Sequence, residues 1–332
     1  RDVRGRVLDV LGRVDLDDHP LARDGFVYGM VVQHEHQHQE TMLATIDLMG
    51  RPYMPPGGLT THPGRRPPDT PGSPEVSLPG GPFVLGTDVE PWAYDNERPA
   101  HGVRVAPFHI DRTPVTNEAY QAFVDDGGYD TPTWWTTEGW AWRSEARLVA
   151  PQGWCRERAR WTVQRFGHRE DLTPGEPVQH VCWYEADAFA RWSGKRLPTE
   201  TEWEYAASWD PSGTKRRHPW GGDEPTPARA NLGRLRLGPD PVDAHPSGAT
   251  PSGVLAMVGD VWEWTSTRLS GYPGFVSFPY REYSEVFFGH EYRVLRGGSW
   301  ATHPSVARTT FRNWDYPIRR QIFCGFRCAR DA

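Results

Sequence analysis

Between residues 21 and 49 apolar side chains recur at helical spacing, at Phe26, Met30, Val31, Met42, Leu43 and Ile46, and the run closes at Gly50. Positions three, four and seven apart share one face of a 3.6-residue helix, and glycine suits the turn that ends one, so one long helix is predicted over 21–49. Val7, Leu8, Val10 and Leu11 form a similar run, so the chain is expected to open inside a helix, with a preceding portion missing. From 52 to 74 periodicity gives way to Pro, Gly, Thr and Arg, too poor in apolar groups to bury a core, which predicts a linker over 53–75. Short strand-like runs follow at 83–85, 103–105 and 108–110, separated by Gly/Pro turns, with helices predicted over 116–125 and 184–193. The expected organisation is a helical portion 1–52, the linker 53–75, and a loop-rich α+β domain 76–332. No repeat of 20 to 50 residues is present, which argues against a solenoid or propeller.

Composition sharpens this picture. Sixteen Trp, 34 Gly and 32 Pro against 5 Met favour a loop-rich body held by aromatic side chains over a helical bundle. A net charge of −6, with acids and bases interspersed, gives no basic footprint for nucleic acid and no polybasic membrane patch, and points to a small polar substrate. Four cysteines are too few for a disulfide scaffold, and neither a signal peptide nor an apolar run of about 18 residues is present, so a cytoplasmic protein is expected.

The densest chemical signal is the run Gln33-His34-Glu35-His36-Gln37-His38-Gln39-Glu40. Residues four apart lie about 40° from each other around a helix, so His34 and His38 can aim two imidazoles at one point while His36 lies on the far side. Such a pair suits Fe, Zn, Cu or Ni. Glu40 points away from the shared face, which disfavours a local triad of two histidines and a carboxylate; a third ligand is expected from elsewhere, His19 or residues before Arg1. The same run also spells His-Glu-x-x-His, the helical signature of a zinc hydrolase with the glutamate as general base. That alternative stays open, as does a non-catalytic ligand-binding role for the second domain.

Six stretches of the second domain are similar to the formylglycine-generating-enzyme, or sulfatase-modifying-factor, family: 81–86 (Gly-Pro-Phe-Val-Leu-Gly), 113–117 (Thr-Pro-Val-Thr-Asn), 195–204 with its Leu-Pro-Thr-Glu-Thr-Glu-Trp-Glu run, 261–265 (Val-Trp-Glu-Trp-Thr), 296–300 (Arg-Gly-Gly-Ser-Trp) and 325–328 (Gly-Phe-Arg-Cys). The resemblance implies a variant of the C-type-lectin fold. Where that family carries its catalytic cysteine pair, this chain has Thr302 and Ala307, so formylglycine chemistry is not expected. Cys324 and Cys328 do not match the spacing of that pair and are expected to be structural.

A His-rich helical portion of the DinB type followed by this domain resembles the ergothioneine sulfoxide synthases. The resemblance is carried by 34–40, by 278–285 (Phe-Pro-Tyr-Arg-Glu-Tyr-Ser-Glu) and by 312–320 (Arg-Asn-Trp-Asp-Tyr-Pro-Ile-Arg-Arg). It implies an enzyme that uses non-heme Fe(II) and O2 to join the sulfur of γ-glutamylcysteine to the imidazole of hercynine, Nα-trimethylhistidine. Two of the family's three histidine ligands carry over to His34 and His38; the third, and an arginine of the thiol site, are expected in sequence before Arg1. By the same resemblance Tyr280 is the proton donor that directs chemistry toward carbon–sulfur coupling and away from thiol oxidation. Tyr283 neighbours it in the substrate pocket. Gln37, Asn313 and Trp314 fall at positions that hold hercynine, whose trimethylammonium needs aromatic faces and whose carboxylate needs amide donors. Asp315 and Arg319 carry the charges suited to the amino group and carboxylate of γ-glutamylcysteine. The residues do not decide γ-glutamylcysteine against cysteine.

Overall fold

A computed structural model describes residues 2–54, 74–158 and 160–332. It opens with α1 (Asp2–Leu11), none of whose side chains is buried. The long helix α2 (Phe26–Leu48) starts five residues later than its periodicity predicts. Asp24 (φ 53°) and Gly25 (φ 70°) adopt left-handed backbone there, and a right-handed helix cannot run through such residues. Its predicted end at Gly50 holds, with φ 61° at that glycine.

Most of the predicted linker lies outside the described residues. At its two edges the Tyr53 amide donates to the Phe166 carbonyl at 3.1 Å, and Glu75 begins the first strand. Strands β1 (Glu75–Leu78), β4 (Phe108–Asp111) and β12 (Ala329–Asp331) form an antiparallel sheet that ties the start of the domain to its end. Two small sheets flank it, the hairpin β2 (Gly81–Leu85) with β3 (His101–Val105), and the meander β5 (Trp154–Glu157), β6 (Arg160–Arg165) and β7 (His168–Asp171). The sheet that faces α2 has the order β10 (Asn313–Asp315), β9 (Arg293–Arg296), β8 (Trp262–Arg268), β11 (Cys324–Gly325). Helices α3 (Asn117–Asp125), α4 (Thr137–Glu145), α5 (Trp183–Trp192) and α6 (Glu200–Ser208) complete an α+β fold. The starts of α3 and α6 follow from their caps: Thr116 accepts from the Ala119 amide, and Thr199 forms a reciprocal box with Glu202.

The core is aromatic, as the composition predicts. Tyr120, Phe123, Phe189, Trp264 and Phe326 are buried in one cluster, and Phe108, Trp203 and Tyr205 in a second. Buried ion pairs run through the domain, Arg308 with Glu97 (2.5 Å), Arg312 with Glu200 (2.6 Å), Arg327 with Glu263 (2.7 Å) and Arg296 with Glu204, and the first of these arginines also meets α2. Removing one partner of such a pair strands a charge at a cost of roughly 3–5 kcal/mol, so this framework is rigid. After β9 the chain turns through Gly297 (φ 94°), where a Cβ would sit 2.8 Å from the Met257 carbonyl oxygen, and Gly298 (φ 83°). That turn delivers Ser299 and Thr302 to α2.

Candidate functional site

Helix α2 seats on the domain through a polar stripe, Gln33, Gln37 and Glu40, spaced as one helical face. Arg308 donates to Gln33 Oε1 at 2.6 Å, while Gln33 Nε2 donates to the Trp92 carbonyl at 3.0 Å. Gly29 admits the Trp92 ring; a Cβ there would lie 2.3 Å from it. Two turns beyond Gln33, Glu40 Oε1 accepts from Trp262 Nε1 (2.7 Å) and Ser299 Oγ (2.5 Å), and Oε2 accepts from Thr302 Oγ1 (2.8 Å). Burial raises the Glu40 carboxyl above its ordinary value despite these donors. The sequence expectation that Glu40 turns from the histidine face is met, and its carboxylate holds the helix to the domain.

Between these two anchors His34 and His38 lie with ring centroids 4.4 Å apart and planes at 76°. Burial first, then the proximity of His38, lowers the pKa of His34 and so favours its neutral ring, with Glu35 opposing. His36 faces elsewhere and stacks on His303 at 3.6 Å. The pair fits a borderline metal ion as two imidazole donors. Among the described residues no group of three or more His, Cys, Asp or Glu could hold a metal ion.

One residue before His38, Gln37 Nε2 lies 3.3 Å from Tyr94 OH and 3.4 Å from Tyr283 OH. This contact brings the 278–285 segment against the turn that carries the histidines. Tyr94 and Tyr283 stack at 4.2 Å, and burial pushes both phenols up, so each stays protonated at neutral pH. Tyr280 is 41 % exposed and meets Tyr283 edge-on at 6.5 Å.

Gln37 and Glu40 also line a cavity of about 400 Å³ together with Asn313, Asp315, Arg319, Trp262 and Phe311. Alternate residues of a strand share a face, so Asn313 and Asp315 of β10 both face this cavity. Trp314, the residue between them, packs on Phe287 and edge-on to Tyr283. Arg319 Nε donates to Asp315 Oδ1 at 3.2 Å, and burial raises the Asp315 carboxyl. The structure thus gathers Gln37, Asn313, Asp315 and Arg319 around one cavity. It places His34, His38, Tyr280, Tyr283 and Trp314 outside the cavity lining.

Sequence reasoning missed Tyr94, Arg308 and the anchoring of Glu40. The only signal was the polar stripe Gln33, Gln37 and Glu40 on α2 and the charged run at 94–98, and neither names its partner. Cys324 and Cys328 are buried free thiols whose pKa values burial raises, in line with a structural part. Thr302 is bound to Glu40, and the Ala307 carbonyl interacts with His218 Nε2 at 3.0 Å.

The family model of the sulfatase-modifying factor enzyme 1-like domain matches residues 61–332. The chain belongs to this family. Within it, the chain is 53 % identical to the hercynine oxygenase of Mycolicibacterium thermoresistibile, over 99 % of this chain and 73 % of that protein. It is 51 % identical to the hercynine oxygenase of Mycolicibacterium smegmatis, over 99 % and 76 %. Similarity to the formylglycine-generating enzyme of Streptomyces coelicolor is lower, 37 % over 84 % of this chain and 95 % of that one. Among solved structures, PvdO from Pseudomonas aeruginosa superimposes with a TM-score of 0.57 at 26 % identity, covering 78 % of this chain and 94 % of that one, in keeping with the mixed α+β, C-type-lectin-like fold. No described helix is long and apolar enough to cross a membrane.

Proposed function

We propose that this family member is an Fe(II)- and O2-dependent sulfoxide synthase of ergothioneine biosynthesis, joining γ-glutamylcysteine to hercynine. The observation that carries the reading is the double engagement of Gln37. It is flanked on its helix by the imidazole pair His34 and His38, and its side chain both meets Tyr283 and lines the cavity of Asn313, Asp315 and Arg319. The hercynine oxygenases matched over nearly the whole chain support the same conclusion. The balance is one thiol, one imidazole C–H and one O2 giving the sulfoxide conjugate and one water.

Iron held by His34, His38 and a further ligand would bind O2 and favour the thiolate over the thiol. The protein's own groups then orient the partners. Gln37 and Asn313 offer amide donors to the imidazole substrate, with Trp314 and Tyr283 supplying aromatic faces nearby. Asp315 and Arg319, paired with each other at 3.2 Å, exchange that contact for the amino group and carboxylate of γ-glutamylcysteine. Tyr280, on the accessible side of the aromatic group, hands over the proton that separates coupling from oxidation of the thiol alone.

The test is anaerobic loading with Fe(II), followed by O2 uptake and product mass with hercynine plus γ-glutamylcysteine, and with hercynine plus cysteine. Hercynine-dependent uptake and a sulfoxide product are expected. No uptake with either thiol removes the reading, and retained zinc with peptide hydrolysis would favour the hydrolase that His34-Glu35-x-x-His38 also spells.

A further inference from the structure

Tyr280 has little to hold it in place. Its ring is 41 % exposed, and its aromatic contact is the edge-on approach to Tyr283. Yet both ends of its segment reach one carboxylate. Asp95 Oδ2 accepts the Phe278 amide at 3.1 Å, and Asp95 Oδ1 accepts the Ser284 hydroxyl at 2.6 Å. Asp95 is 3 % exposed and Ser284 fully enclosed, so the Ser284 bond is shielded from bulk water, while the Phe278 bond is partly buried.

The short turn around Asp95 reaches α2 as well. Tyr94 stacks on Tyr283 and meets Gln37, while Glu97 pairs with Arg308, which in turn holds Gln33. The Phe278 ring packs on Phe26 at the start of α2, with centroids 5.0 Å apart. Residues 94–97 therefore form a bracket with one arm on the histidine helix and the other on the segment 278–284. The second arm is Asp95.

From this geometry we infer that Asp95 is a positioning residue for the oxygenase reaction, fixing the Tyr280 segment against the helix of His34 and His38. The inference rests on the sulfoxide synthase reading for its chemical consequence, although the bracket itself does not. A buried carboxylate with one oxygen on each end of a loop sets the spacing of those ends, and a proton donor displaced by about 1 Å can lose on the order of a hundredfold in rate. Asn at this position keeps the acceptor for the Phe278 amide and can donate its own N–H to Ser284 Oγ. Ala loses both contacts.

The experiment pairs amide hydrogen exchange of the peptide spanning 278–284 with product analysis on the iron-loaded enzyme, for wild type, Asp95→Ala, Asp95→Asn, Ser284→Ala and Tyr280→Phe. Asp95→Ala should speed exchange in this segment by roughly tenfold, leaving the peptides of α6 unchanged. It should cut sulfoxide turnover by about tenfold or more, hold the KM for the thiol within about threefold, and raise the proportion of thiol oxidised to sulfinate, the same direction expected for Tyr280→Phe. Asp95→Asn should restore most of both readouts. Ser284→Ala, which keeps the Phe278 bond and serves if Asp95→Ala does not fold, should fall between. Unchanged exchange in Asp95→Ala, faster exchange with unaltered products, or equal losses in the Ala and Asn variants would each overturn the inference. A wild-type protein that takes up no O2 would instead remove the oxygenase reading, and exchange would still decide whether Asp95 holds the segment.

Discussion

Thr302 donates its hydroxyl hydrogen to Glu40 across 2.8 Å, joining the histidine helix to the turn that follows β9. The same Thr302 oxygen accepts the Ser299 amide at 2.8 Å, so one hydroxyl ties the turn after β9 both to itself and to α2.

Glu40→Ala should destabilise the protein by about 2–4 kcal/mol, because Trp262 Nε1, Ser299 Oγ and Thr302 Oγ1 would each lose a buried acceptor. Thr302→Ala should cost about 1 kcal/mol. Urea unfolding of the two single variants and the double variant should show clear non-additivity; strict additivity would mean that the two residues do not act through their mutual bond.

His34→Ala and His38→Ala should each abolish stoichiometric iron binding and lower oxygenase turnover by roughly a hundredfold or more. His38 is exposed and His34 partly so, and unfolding free energy should change by about 0.5 kcal/mol at most. Metal analysis beside a denaturation curve separates a ligand from a fold determinant. A variant that keeps its iron would exclude that histidine.

Arg319→Ala should raise the KM for γ-glutamylcysteine by about tenfold, in the range of one charge-assisted hydrogen bond, with the KM for hercynine nearly unchanged. If cysteine serves as the thiol, its smaller reach should make it less sensitive to the same change. Equal effects on the thiol and on hercynine would move Arg319 out of the thiol site.

Asp260 offers a pH test away from the candidate site. Its carboxyl is enclosed and accepts from Asn231 Nδ2 (3.0 Å) and the Asp240 amide (2.8 Å), and burial pushes its pKa up to about 7 from 3.8, with Asp240 adding repulsion and His245 opposing it. A folded value above the unfolded one means that its stabilising contribution is complete below about pH 3.8 and is lost as pH rises through about 7. Asp260→Asn should therefore gain stability relative to wild type, on the order of 1–2 kcal/mol, between about pH 4.5 and about pH 7.5. Parallel pH dependences for the two proteins would show that Asp260 does not titrate in this range.

Short-range features are legible in the order of residues. The spacing of His34 and His38 puts their rings on one face, the predicted helices over 116–125 and 184–193 form within a residue of their expected bounds, and Gly50 stops α2. Each depends on the backbone geometry of a few neighbouring residues. The start of α2 escapes the same reasoning because hydrophobic periodicity does not register a left-handed pair such as Asp24 and Gly25.

The residue pattern by itself determined the helix with its imidazole pair, the aromatic α+β domain, and which loops carry the polar side chains. Tertiary structure decided what those side chains meet. Glu40 bonds residues 222, 259 and 262 positions away, and Asp95 bonds residues 183 and 189 away. At such separations partner choice follows from how sheets and buried ion pairs close around the helix, since a polar group leaving water takes whichever donor or acceptor the fold presents, and no local periodicity encodes that outcome.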